Sequence, residues 1–170
     1  MDVKGATLLF TLAGLMVTFA GFSTLLISVR QAAGAPLSPL DRYLAKTVLI
    51  HLMLLTAAAF LPSLLALFDL TAWSIWRTCA VLFGIAKLTL LLTYPQRRRK
   101  SVGQYPPAVV TVVFVIFGSA VVLAMMIYIL AGLPHPAGAY ATALLVNFFT
   151  CAFAFLAALD IIMRQHEPRK

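Results

Sequence analysis

Apolar positions along this chain neither alternate nor keep to one helical face. They fill whole stretches, and the polar residues fall mostly in the gaps. Five stretches, residues 6–29, 46–68, 72–94, 108–133 and 137–163, are each longer than 20 residues. A hydrocarbon core about 30 Å thick takes about 20 helical residues to cross. The pattern therefore predicts an all-α integral membrane bundle of five transmembrane helices, a single membrane domain over residues 1–170. Prolines punctuate the gaps: Pro95, then Pro106 and Pro107, then Pro134 and Pro136 mark where helices should stop or start. By this rule the third helix should end at Tyr94. The second should begin ahead of its apolar part, because "SPLD" offers Ser38 as N-cap, Pro39 at the first helical position and Asp41 at the third.

Composition agrees with the pattern. Hydrophobic residues make up 62% of the chain and charged ones 11%, with a mean hydropathy of +0.99. Soluble domains are about 45–50% apolar and about 25% charged. The net charge of +8 could point to nucleic acid, but the charges lie in short clusters between the apolar runs, which is how membrane topology is encoded. No nucleic-acid partner is expected. With the N-terminus outside, the inner side would hold Arg30, Arg42, Lys46, the run Arg97 to Lys100, Arg164, Arg169 and Lys170, against Lys4 alone outside. That asymmetry predicts a cytoplasmic C-terminus and puts "RRRK" at the cytoplasmic end of the third helix. The same run could attract anionic lipid headgroups. A small-residue "AAGA" at 32–35 resembles a signal-peptide cleavage site, but the apolar run before it is too long for one, so it is read as a true first span. Cys79 and Cys151 lie inside apolar runs without metal-ligand spacing to a histidine; no metal and no cofactor are expected.

Polar residues inside the runs are the candidates for function, since each ionisable group at the bilayer centre costs at least a few kcal/mol. Helical side chains lean toward the N-terminus of their own helix. Arg77, one turn into the third run beside Trp73 and Trp76, therefore leans to the outer interface, and the three read as interface anchors, with Asp69 eight residues away as a pairing candidate for the arginine. Lys87 leans back toward the membrane centre, so it should face the bundle interior, water or a partner. His51, Ser23 and Thr24 fall near its depth, while Asp160 lies about two turns nearer the cytoplasm and has Arg164 four residues on as its ordinary helical partner. His51 reads either as a hydrogen-bonded core histidine or as a proton relay. Asn147 reads as an amide bridge between helices or as a ligand contact. Pro62 should free a carbonyl in the second helix. In the first run Thr11, Gly14, Thr18, Gly21 and Ser28 form a small-residue stripe, a helix-packing face expected to meet another helix of the bundle or a second copy of the chain; Ala154, Ala157 and Ala158 form a weaker one.

No His-Glu-x-x-His, paired carboxylates, glycine-rich phosphate loop or serine nucleophile beside a histidine occurs, so no catalytic residues are assigned and no enzyme is expected. At "AGFSTLLISVRQ", "LSPLDRYLAKTVL", the proline of "FLPSLL" and the "WR" pair at Trp76 and Arg77, the first three spans resemble a group of small, functionally unassigned multi-pass proteins of bacteria. That resemblance implies a bacterial inner (cytoplasmic) membrane location and no activity. The leading expectation is a non-catalytic, oligomer-forming or accessory membrane subunit. The alternative is a small channel or transporter for a proton, anion or small solute, with a polar interior around Lys87, His51 and Asn147.

Overall fold

A computed structural model describes residues 5–32 and 38–164, with the side chains of Arg30 and of 157–164 left aside. Its ordered elements are all helical. Helix α1 spans Ala6–Ala32, α2 Pro39–Leu65 and α3 Ala72–Val102. A fourth rod joins α4 (Ala108–Val110), a π-helical segment Thr111–Phe117 and α5 (Gly118–Leu130), and α6 spans Pro136–Arg164. Five of these rods are long and apolar enough to cross a membrane, as the hydropathy pattern predicts. Large hydrophobic residues are exposed along every one of them, among them Phe10, Met53, Leu92, Ile116 and Phe149, which gives the bundle an apolar outer surface suited to lipid.

The start of α2 follows its sequence. The Asp41 amide donates to Ser38 Oγ at 3.2 Å and the Ser38 amide donates to Asp41 Oδ2 at 3.0 Å, a reciprocal capping box that satisfies two amides otherwise orphaned at a helix start. The end of α3 does not follow it. Pro95 does not stop the helix, which continues through the arginine run to Gly103, a left-handed residue at φ 77° whose amide donates to the Arg99 carbonyl. Proline removes a helical donor, and beside that break Arg97 Nη2 folds back to donate to the Leu90 carbonyl at 2.6 Å. That carbonyl lies one residue before Leu91, whose usual helical donor Pro95 removes, and the helix continues past the proline.

Pro62 has a counterpart deeper in the bundle. It sits inside α2, so the Ala58 carbonyl four residues earlier loses its usual amide donor. The Tyr140 hydroxyl, from α6, donates to that carbonyl at 3.0 Å. Tyr140 is fully buried against Trp76, at 5.7 Å between ring centroids, and Phe83, at 5.8 Å. The carbonyl freed by one helix is therefore what positions another.

Helix α2 is the hub, packing on α1, α3 and α6, while α5 closes the ring against α3 and α6; α1 leans mainly on α2. Its contact face is Leu9, Leu12, Ala13, Met16 and Ser23, all buried. The stripe Thr11, Gly14, Thr18, Gly21 and Ser28 is exposed, and a Cβ placed on Gly14 or Gly21 would meet nothing within 4 Å. Packing of this face within the bundle, expected from its small residues, does not occur. Bulkier residues fill the groove on α2, and the stripe's hydroxyls satisfy themselves: Thr11 donates to the Thr7 carbonyl, Thr18 to Gly14 and Ser28 to Thr24. A hydroxyl bonded back to its own helix can face hydrocarbon without a lost hydrogen bond.

A candidate binding site in the bundle core

Lys87, His51 and Asn147 are each 0% exposed, one each from α3, α2 and α6. Lys87 faces the bundle rather than lipid, and its Nζ has no hydrogen-bond partner. It lies 5.8 Å from the centre of the Phe114 ring. That ring also packs against His51, at 4.9 Å between centroids, and Tyr94, at 5.3 Å. Phe114 belongs to the π-helical segment, a wider turn often associated with functional sites. It forms the wall shared by the lysine and the histidine.

The hydrogen bonds that do form dictate what is left over. His51 Nδ1 sits 2.8 Å from the Thr47 carbonyl, which can only accept, so this nitrogen holds the proton in the neutral ring. Nε2 then presents a lone pair, and it has no partner. Asn147 Nδ2 donates to the Ala143 carbonyl at 2.9 Å, which leaves Oδ1 as an acceptor with no partner. Ser119, on α5 and 7% exposed, has an unpartnered Oγ as well. Gly118 beside it brings the two helices close: a Cβ there would stand 3.5 Å from Asn147 Oδ1. Cys151, a free buried thiol on α6, lies within electrostatic range of Lys87, as does His51. The four spans of the ring thus contribute one amine, two acceptors and one hydroxyl, all withdrawn from solvent.

Other candidates from the sequence fall elsewhere. Ser23 is buried but donates to the Phe19 carbonyl at 2.8 Å, and Thr24 is exposed and donates to Ala20, so neither joins Lys87. The side chain of Asp160 lies outside the described residues. Its place on α6 is nine residues beyond Cys151, a rise of roughly 13 Å, which keeps the backbone there well away from the lysine's level. Arg77 is exposed with its guanidinium 5.5 Å from the Trp73 ring, an interface arrangement that replaces the expected pairing with Asp69. Trp76 is not part of that belt: it is 5% exposed and packs into the bundle on Tyr140. Three or four residues along α3 come Cys79, Ala80 and then Phe83, all buried, which is the face Trp76 shares.

The basic run is also divided. Arg99 is exposed, donating to the Tyr105 hydroxyl at 2.8 Å, whereas Arg98 is 7% exposed and lines a cleft at this end of the bundle. The cleft holds about 40 Å³, enough for a few waters. It runs from Leu40 and Pro107 past Arg98 and Tyr94 to Thr47 and Phe114. Phe114 therefore borders both the cleft and the pair Lys87 and His51. Nothing in the hydropathy pattern marks Phe114 or the π-helical segment; Ser119 was visible as a hydroxyl within an apolar run.

Among the described residues no group of three potential metal ligands assembles. Compared with protein-family models, curated proteins and solved structures, the chain matches none.

Proposed function

We propose that this is a non-catalytic, multi-pass protein of a bacterial inner membrane that binds and transfers a proton, an anion or a small solute at Lys87, His51 and Asn147, with "RRRK" on the cytoplasmic side. The observation that carries this reading is that Lys87 and His51 share the Phe114 ring in a buried core where Lys87 Nζ, His51 Nε2, Asn147 Oδ1 and Ser119 Oγ all lack hydrogen-bond partners. Buried polar groups in folded proteins are nearly all hydrogen-bonded, and an ionisable residue within a membrane bundle is retained where it serves a path for solute or protons. The cleft beside Phe114 supplies an approach. Purified protein in liposomes should pass protons, anions or small polar solutes faster than protein-free liposomes, and Lys87→Met should remove that flux. Equal flux in both forms would sink the proposal.

The outward stripe on α1 favours a second property, association with another copy or with a different membrane subunit. Helices in lipid associate where small residues let backbones approach, and Gly14 and Gly21 leave that approach open. Gly14→Leu with Gly21→Leu should convert the oligomer to monomer by mass measurement in detergent, without lowering the unfolding midpoint, because both positions point away from the bundle. A wild-type chain that is monomeric and free of partners would remove this reading.

A further inference from the structure

We infer that the ligand of this core is a small monovalent anion that enters with a proton, through the cleft at the basic end, past Phe114. This rests on the transfer reading above and adds to it the class of solute, the route and the coupling.

Charge comes first. Among the described residues Lys87 is the most deeply buried cation, and no described carboxylate stands beside it: Asp41 belongs to the start of α2 and Asp69 is exposed at the far end. An anion cancels a charge that is otherwise withdrawn from water, where isolated charges are most costly. The approach has the same sign, since Arg98 is buried in the cleft wall and Arg97 lies beside it. The cleft, at about 40 Å³, has room for a halide or a small oxyanion on its way in.

The proton follows from the histidine. Because Thr47 holds Nδ1–H, neutral His51 turns a lone pair toward the core, and a lone pair repels an anion. With a proton added, Nε2–H becomes a donor. Lys87 and Ser119 carry further donors without partners, and Asn147 Oδ1 is an acceptor without one. The balance is one H⁺ and one anion in, and the same two out; no bond of the anion is made or broken. The groups that face His51 are Lys87 and Arg97 of α3 and the Phe114 ring of the fourth rod, with Tyr94 against the same ring and Cys151 of α6 near Lys87. An arriving anion favours a proton on Nε2, which ties the two together.

Phe114 stands between cleft and core, and its backbone is π-helical. A shift of that segment toward α-helical register would turn the ring and open the path.

The experiment uses the full chain in liposomes containing lucigenin, quenched by chloride, or pyranine, which reads internal pH. Under an inward chloride gradient, wild type should show chloride entry with internal acidification, and both should rise as external pH falls. Lys87→Met should lose both about tenfold or more; His51→Gln should retain chloride entry but lose acidification; Phe114→Ala should speed chloride entry several-fold. Phe114→Leu, which keeps most of the volume, serves if alanine fails to fold. Proton flux that depends on Lys87 but never on chloride, nitrate or another anion would overturn the inference while leaving the transfer reading intact. Chloride entry without acidification would overturn the coupling. No flux of any kind would overturn both.

Discussion

Lys87→Met is expected to raise the stability of the folded protein while removing its transfer activity. Insertion scales put a lysine near a helix centre at about 2.5–3.5 kcal/mol unfavourable, and the Phe114 ring 5.8 Å away offsets only part of that cost, since Nζ is fully buried without a hydrogen bond. Methionine has similar length and volume, leaves no cavity, and needs no partner. A gain of about 2 kcal/mol on unfolding in detergent is the expected result, since some of the insertion cost will be relieved by bound water. The gain should shrink when wild type is measured with saturating ligand, because a ligand that binds only the folded state stabilises it. A loss of more than about 1 kcal/mol would show that the ammonium is held by a structural partner, and the site would have to be redrawn around that partner. Stability and activity moving in opposite directions is what separates a functional buried charge from a structural one.

Tyr140→Ala is expected to be the most damaging single change described here, at about 3–5 kcal/mol for a large aromatic removed from a core. Two effects contribute and can be separated. The ring packs against Trp76 and Phe83, and the hydroxyl serves the Ala58 carbonyl that Pro62 leaves without a donor. Tyr140→Phe keeps the ring and should cost about 1–2 kcal/mol, as expected when a buried acceptor is orphaned. In a background of Pro62→Ala the helix can supply its own amide to Ala58, so Tyr140→Phe should then cost much less. Reversible unfolding of the four proteins closes this cycle. If the cost of Tyr140→Phe is the same with and without Pro62, the hydroxyl does not compensate for the proline.

The residues that were legible in the sequence were those whose cost depends on depth alone. Lys87 could be placed in the interior because the direction of its helix turns it away from the nearer interface, and the capping box at Ser38 and Asp41 could be read because it involves residues three apart. Misreadings came where a second element intervenes. Pro95 marks a stop in an isolated helix, yet α3 continues through it with Arg97 bonded back to Leu90. The α1 stripe marks a packing face by its small residues; within the bundle α2 takes the adjacent, bulkier face, which leaves the stripe to a partner outside it, the other reading the pattern allows. Trp76 belongs by composition to an interface belt, yet it lies on the buried side of α3. A local pattern states what a helix can pack with, and the neighbouring helices decide which face is used.

Hydropathy by itself determined the helical class and the number of membrane-long segments, because every backbone group in hydrocarbon must be bonded within its own helix or a closed barrel, and each stretch is long enough to meet that need alone. The tertiary structure alone decided which polar side chains are buried in the core without partners. Lys87, His51, Ser119 and Asn147 come from four different spans, the π-helical turn that sets Phe114 between them and the cleft leaves no periodic mark, and which nitrogen of His51 faces the core follows from one carbonyl, that of Thr47. Those are relations between helices, fixed by packing in three dimensions rather than by the composition of any one segment.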